Sequence, residues 1–139
     1  EFTIVIDPGV ITELGDFIVT TVPAYNIREE ALSYHPQDRK DNGYIIEKNG
    51  FRVYFAGDTE DTPEMRALEN IDVAFIPMNL PYTMTVESAA SAVLEFTPTT
   101  VFPYHYRGNE ELSDIDEFNS IVNEGNENIE VILHDWYAE

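Results

Sequence analysis

The dipeptide Asn49-Gly50 constrains the fold of this chain more than any other feature. It separates residues 44–48 (YIIEK) from residues 51–55 (FRVYF), two runs rich in aromatic and β-branched types. Both turn residues accept positive φ, so the pair predicts a tight hairpin whose second strand runs toward Gly57. Asp58 follows at the strand's exit, before Thr59. A carboxylate where a strand opens into a loop is well sited to hold a cation. It serves equally to cap the turn before Thr59, as Asp often does. The local sequence leaves the two readings level.

A chain of 139 residues makes one domain, residues 1–139, large enough for its own core. It contains no cysteine, which excludes disulfides, thiolate metal sites and a Cys nucleophile. Against 27 acids stand only 7 Lys and Arg, a formal charge of −20. That balance argues against nucleic-acid binding, which draws its affinity from basic residues. It leaves room for a small anionic substrate held through a metal. Most of the acids are scattered and read as a solvated surface. No apolar run approaches membrane length, so no membrane association is expected, and a cytoplasmic location fits.

Along the chain, Phe2 to Ile6 (FTIVI) reads as a strand, and Asp7-Pro8-Gly9 as a turn. Residues 16–22 (DFIVTTV) predict a second strand ended by Pro23, with Asn26 on its exit loop. Residues 27–42 read as a charged surface loop with a helical turn near Arg28–Leu32, and His35 precedes Pro36 inside it. After the hairpin, Thr62-Pro63-Glu64 opens a short helix running to about Glu69. Residues 72–77 (DVAFIP) suit a strand buried on both faces. Thr85 caps a helix that ends before Pro98; Thr100–Phe102 is a short strand with Pro103-Tyr104-His105-Tyr106 at its exit. Ser113 opens a third helix stopped by Gly125, and Ile129–Leu133 is the last strand.

Strands first, then strand and helix in alternation, imply an α/β layered domain with helices over a mainly β core. Asn26, Asp58, the Met78–Thr85 loop and His105 all follow strands. If those strands run the same way, these residues meet on one edge, where ligand sites collect. Asp58 with His105 is a plausible metal pair, yet a catalytic zinc usually takes three protein ligands.

In their order, Val22-Pro23-Ala24-Tyr25, Phe55-Ala56-Gly57-Asp58-Thr59 and Pro103-Tyr104-His105-Tyr106-Arg107-Gly108 resemble the second half of the metallo-β-lactamase superfamily. Tyr82-Thr83-Met84 ahead of the Ala89-Ala90 helix strengthens the likeness. It points to the branch of metal-dependent hydrolases that includes ascorbate-phosphate lactonase-like proteins. The resemblance implies an αββα sandwich, of which this chain supplies the C-terminal part: a mixed β-sheet with covering helices. It implies a divalent metal, zinc or manganese, with up to two ions in the complete site. Asp58 matches the aspartate that bridges two ions, and His105 a histidine that binds one. Asn26 stands where the family carries another histidine; as a neutral oxygen ligand it is weaker, and His35 either substitutes for it or touches substrate. The family's His-x-His-x-Asp-His element has no match in this sequence, so the first half of the fold is expected upstream. His134 reads as a surface structural residue. Arg107 reads either as an anion contact or as a partner of surface acids.

Two functions follow. The first is a hydrolase in which a metal-activated water, oriented by Asp58, attacks an ester, lactone, amide or phosphodiester of a small-molecule substrate. The second is a non-catalytic fragment, or a binding or structural domain, because the upstream ligands are missing. Without its first half, one sheet face would lie bare, and the chain is expected either to form a homo-oligomer or to need an N-terminal segment.

Overall fold

The computed structural model of the chain describes residues 3–109 and 111–138. Its frame is one seven-stranded sheet: β1 (Ile11–Leu14), β2 (Phe17–Ala24), β3 (Asp41–Lys48), β4 (Phe51–Phe55), β5 (Val73–Pro77), β6 (Thr100–Tyr104) and β7 (Glu130–Val131). The strands lie side by side in chain order. β1 to β4 are antiparallel, and β4 to β7 are parallel. Helices α1 (Pro63–Arg66), α2 (Val86–Phe96) and α3 (Ile115–Gly125) make the three parallel crossovers.

The hairpin forms as its turn chemistry dictates. Asn49 and Gly50 take φ of 54° and 80°, and Tyr44 lies opposite Phe55 in the register. At the far end of this pair the backbones of β3 and β4 approach closely. A Cβ on Gly43 would sit 2.6 Å from the Ala56 carbonyl oxygen, so only glycine fits there.

Each crossover steps to the next strand in the same direction, and βαβ crossovers are right-handed. All three helices therefore fall on one face. Thr62, Thr85 and Asp114 cap them, each side chain accepting from the backbone N–H three residues on. Ala89, Ala90, Val93 and Phe96 of α2, with Phe118 and Val122 of α3, close over Ile45, Tyr54, Ala74, Ile76 and Val101 of the sheet.

The beginning of the chain departs from expectation. Phe2 lies outside the described residues, and residues 3–6 form no strand. Val5 is 90% exposed, because this apolar stretch has no sheet neighbour to pair with. The first strand instead begins at Ile11 and turns back through Gly15 to place Leu14 opposite Phe17. β2 runs through Pro23 to Ala24. β1 pairs only with residues 17–20, so Pro23 sits where β2 is an edge and its missing N–H is tolerated.

Residues 28–35 form successive turns, followed by a 3-10 turn at Gln37–Arg39. β5 is not sealed on both faces: Ala74 and Ile76 are fully buried, while Val73 and Phe75 on the opposite face are half-buried. α1 stops at Arg66, short of Glu69. The cap of α3 is Asp114; Ser113 instead donates its hydroxyl to the Met78 carbonyl. The last strand is only two residues long.

Candidate metal centre

Parallel strands bring their C-terminal ends to one edge. β4, β5 and β6 deliver Asp58, Asn79 and His105 there. β2, two antiparallel steps from β4, ends at the same edge and delivers Asn26. Gly57 takes φ +72°, which turns the chain out of β4 and frees the Asp58 carboxylate. The Tyr104 hydroxyl accepts from the Gly57 N–H at 3.0 Å and pins that turn. Burial pushes the Tyr104 hydroxyl's pKa up to about 12, so it stays protonated. His105 takes φ +46°, a left-handed conformation disfavoured for a side chain bearing a Cβ and held by its surroundings at such strand ends.

Asp58 is the hub. His105 Nε2 lies 3.2 Å from its Oδ1, and His35 Nε2 lies 3.8 Å from its Oδ2. His35 arrives from the long loop, whose return is fixed by a hydrogen bond from the Asn26 N–H to the His35 carbonyl at 2.8 Å. Tyr34 packs edge-on against Tyr82 beside it. Burial holds the His35 pKa below the usual imidazole value, with the nearby Asp58 charge opposing. Arg39 Nη2 lies 2.8 Å from His35 Nδ1. A guanidinium only donates, so Nδ1 accepts and Nε2 carries the proton facing Asp58.

Asn26 is buried at the same edge, and its amide is used for structure. Nδ2 donates to the carbonyls of Tyr82 and Ala31 at 2.6 and 3.0 Å, while Oδ1 is buried with no partner. Beneath it, the buried Glu60 carboxylate accepts from the Ile27 and Arg28 N–H groups and from Arg28 Nε. Arg28 continues to the Thr83 carbonyl at 2.6 Å, tying the loops after β2 and β5 together.

Outside this edge, the Arg107 guanidinium stacks over the Tyr137 ring at 4.4 Å. His134 packs edge-on against Trp136, and its carbonyl accepts from the Tyr106 hydroxyl. Asn79 and Tyr104 were not singled out from sequence. Asn79 carries a usable signal, its place in the Met78–Thr85 loop directly after a strand, but nothing in the sequence separates it from the rest of that loop.

Among the described residues, no three His, Cys, Asp or Glu side chains form a group arranged to hold a metal ion. The fold provides one carboxylate with an imidazole facing each oxygen. Two imidazoles and a carboxylate are the donor types of zinc and manganese sites, so the residues fit part of such a shell.

A mixed sheet with helices on one face and an Asp/His edge at its strand ends defines a metallo-β-lactamase type of α/β protein. Residues 2–105 match the Beta-lactamase superfamily domain, and the chain belongs to that family. It is 33% identical over 116 residues to a UPF0173 metal-dependent hydrolase of Pyrococcus abyssi, covering 80% of this chain and 50% of that protein. Among solved structures it is similar to a metal-dependent hydrolase from Parabacteroides distasonis. That likeness has 41% identity and a TM-score of 0.83, over 94% of this chain and 56% of the other. The metallo hydrolase Igni18 from Ignicoccus hospitalis superposes with a TM-score of 0.74 at 28% identity, over 95% of this chain and 57% of the other. The chain thus spans about half the length of the relatives it matches. Among the described residues no helix is long and apolar enough to cross a membrane.

Proposed function

We propose that this chain is the C-terminal half of a metal-dependent hydrolase acting on a small molecule. The observation that carries the reading is the placement of two imidazoles on the two oxygens of Asp58 at the strand edge. Asp58 and His105 are the proposed protein ligands, with Asn26, through its unpartnered Oδ1, a weaker one; His35, whose Nε2–H faces Asp58, is placed to touch substrate. A bound zinc or manganese ion would supply a water of lowered pKa and polarise the bond to be cut. Asp58, half exposed between the imidazoles, would orient that water. Tyr104 and Gly57 hold the carboxylate's turn in place, and the Glu60–Arg28 pair holds the loop that carries His35. The substrate would present an ester, lactone, amide or phosphodiester.

The competing reading is a non-catalytic domain, favoured by the lack of a three-ligand group among the described residues. Metal analysis of the protein made from its complete natural reading frame separates the two. The hydrolase reading expects bound zinc or manganese that Asp58→Asn and His105→Ala each reduce, with hydrolysis of a phosphodiester or ester reporter lost in parallel. Equal metal in all three proteins would overturn it.

A further inference from the structure

His105 is half-buried and held at positive φ, and its ring is oriented by a side chain outside the proposed ligand set. Asn79 is 2% exposed and approaches His105 Nε2 with its amide at 3.1 Å. Thr83, fully buried, decides which end of that amide faces the ring. The Asn79 N–H donates to Thr83 Oγ1 at 3.0 Å, so that oxygen is already an acceptor. Its single proton then goes to Asn79 Oδ1 at 2.8 Å in preference to the Asn79 carbonyl at 3.4 Å. That carbonyl is itself taken by the Tyr82 and Thr83 N–H groups, both at 2.9 Å. With Oδ1 accepting from Thr83, the group facing His105 is Nδ2, which can only donate. His105 Nε2 must therefore accept, and the neutral ring carries its proton on Nδ1.

We propose that Asn79, locked by Thr83, is a positioning residue that holds metal-free His105 as the Nδ1–H tautomer by donating to its Nε2. The consequence for metal binding rests on the hydrolase reading; the tautomer itself does not. Nε2 has one lone pair, so a cation shared with Asp58 Oδ1, 3.2 Å away, must displace the Asn79 N–H from it.

The test uses the protein from its complete natural reading frame, labelled with 15N at histidine. Long-range proton–nitrogen NMR spectra are recorded with chelator at pH about 8.5, two units above the ordinary His value of about 6.5. The His105 signal, assigned by its loss in His105→Ala, should show Nδ1–H in the wild type. It should move toward Nε2–H in Asn79→Ala and further in Asn79→Asp, whose carboxylate accepts from Nε2. Thr83→Val, which keeps the shape and frees the amide to rotate, should loosen the preference, and Thr83→Ser should restore it. Zinc affinity should rise in Asn79→Ala, which removes the N–H that competes for Nε2. An Nε2–H wild type, or a tautomer unmoved by Asn79→Ala and Thr83→Val, would overturn the proposal. If His105→Ala lowers zinc affinity and Asn79→Ala leaves both zinc affinity and tautomer unchanged, the positioning role fails while the metal reading stands. If Asn79→Ala moves the tautomer and His105→Ala leaves zinc affinity unchanged, the metal reading fails and the clamp stands.

Discussion

The two faces of the sheet are built differently. Beneath the helices Ile45, Tyr54, Ala74, Ile76 and Val101 are buried by α2 and α3. On the other face, Tyr44, Phe55, Phe75 and Phe102 stand on four adjacent strands as register partners. Phe55 and Phe75 stack at 4.8 Å and Phe75 and Phe102 at 5.1 Å, yet Phe55 is 41% exposed. Trp136 covers part of this row, 6.5 Å from Phe75. The asymmetry follows from topology: strands added in one direction with one crossover hand place every helix on the same side. An in-register aromatic row of this size on the opposite side is the kind of patch that marks an interaction surface. It leads toward the candidate metal centre, since Tyr104 lies edge-on to Phe75 and reaches Gly57.

The sharpest way to break this contrast is one phenylalanine from each side. Phe118→Ala empties a fully buried site under the helices and should cost about 3–5 kcal/mol. Phe75→Ala on the half-buried row should cost about 0.75–1.5 kcal/mol, half the value of a fully buried side chain. Urea denaturation of the 139-residue chain measures both. Equal losses would mean that the aromatic row is already covered.

The next expectation concerns what the bare row does. At rising concentration the 139-residue chain should associate through it, and Phe55→Lys combined with Phe102→Lys should return it to the monomer. Sedimentation velocity reads this directly. A chain monomeric at every concentration, or association indifferent to both charges, would detach the row from any docking role.

How much of this was legible follows from where the information lies. The hairpin, the exits of β4 and β6, and Thr62 and Thr85 as caps are local chemistry: a turn pair, a glycine, a hydroxyl three residues before a free N–H. They read correctly because no distant contact is needed to fix them. Residues 3–6 have strand composition but form no strand, and pairing is non-local, so their apolar content misled. β5 looked sealed on both faces because its composition cannot say that helices cover one side only. At the site, Asp58 and His105 stood out by type and position. Asn79 acts through a neighbour four residues on and an imidazole 26 residues away, and neither link leaves a trace in composition.

A smaller test asks whether the helix-covered face is as dry as its packing implies. Tyr54 lies on that face, fully buried, and burial raises its hydroxyl well above the ordinary value of 10.0. Above pH 10 the unfolded chain gives up this proton and the folded chain keeps it. The unfolded state then binds fewer protons, so stability is complete below about pH 10 and falls as pH rises beyond it. Tyr25, hydrogen-bonded to Glu64 and raised to about 12, acts in the same direction. Denaturation midpoints on either side of pH 10 should fall for the wild type and fall less for Tyr54→Phe. A midpoint indifferent to pH there would mean that water reaches the hydroxyl.

The smallest effect is expected where α2 is anchored over the sheet. Thr85 lies just before the helix in an extended conformation, and its hydroxyl accepts from the Ser88 N–H at 3.2 Å. Asp114 does the same for α3, accepting from the Glu117 N–H at 2.9 Å. Removing either oxygen strands one N–H of a first turn, at a cost of about 1 kcal/mol, while Thr85→Ser keeps the oxygen and should be nearly silent. The two caps share no hydrogen bond, so the double variant should lose close to the sum of the single losses. Because both helices cover only one face, these losses should leave the association of the aromatic row unchanged. If Thr85→Ala alters sedimentation as well as the urea midpoint, the two faces are coupled through α2, and the division between them is wrong.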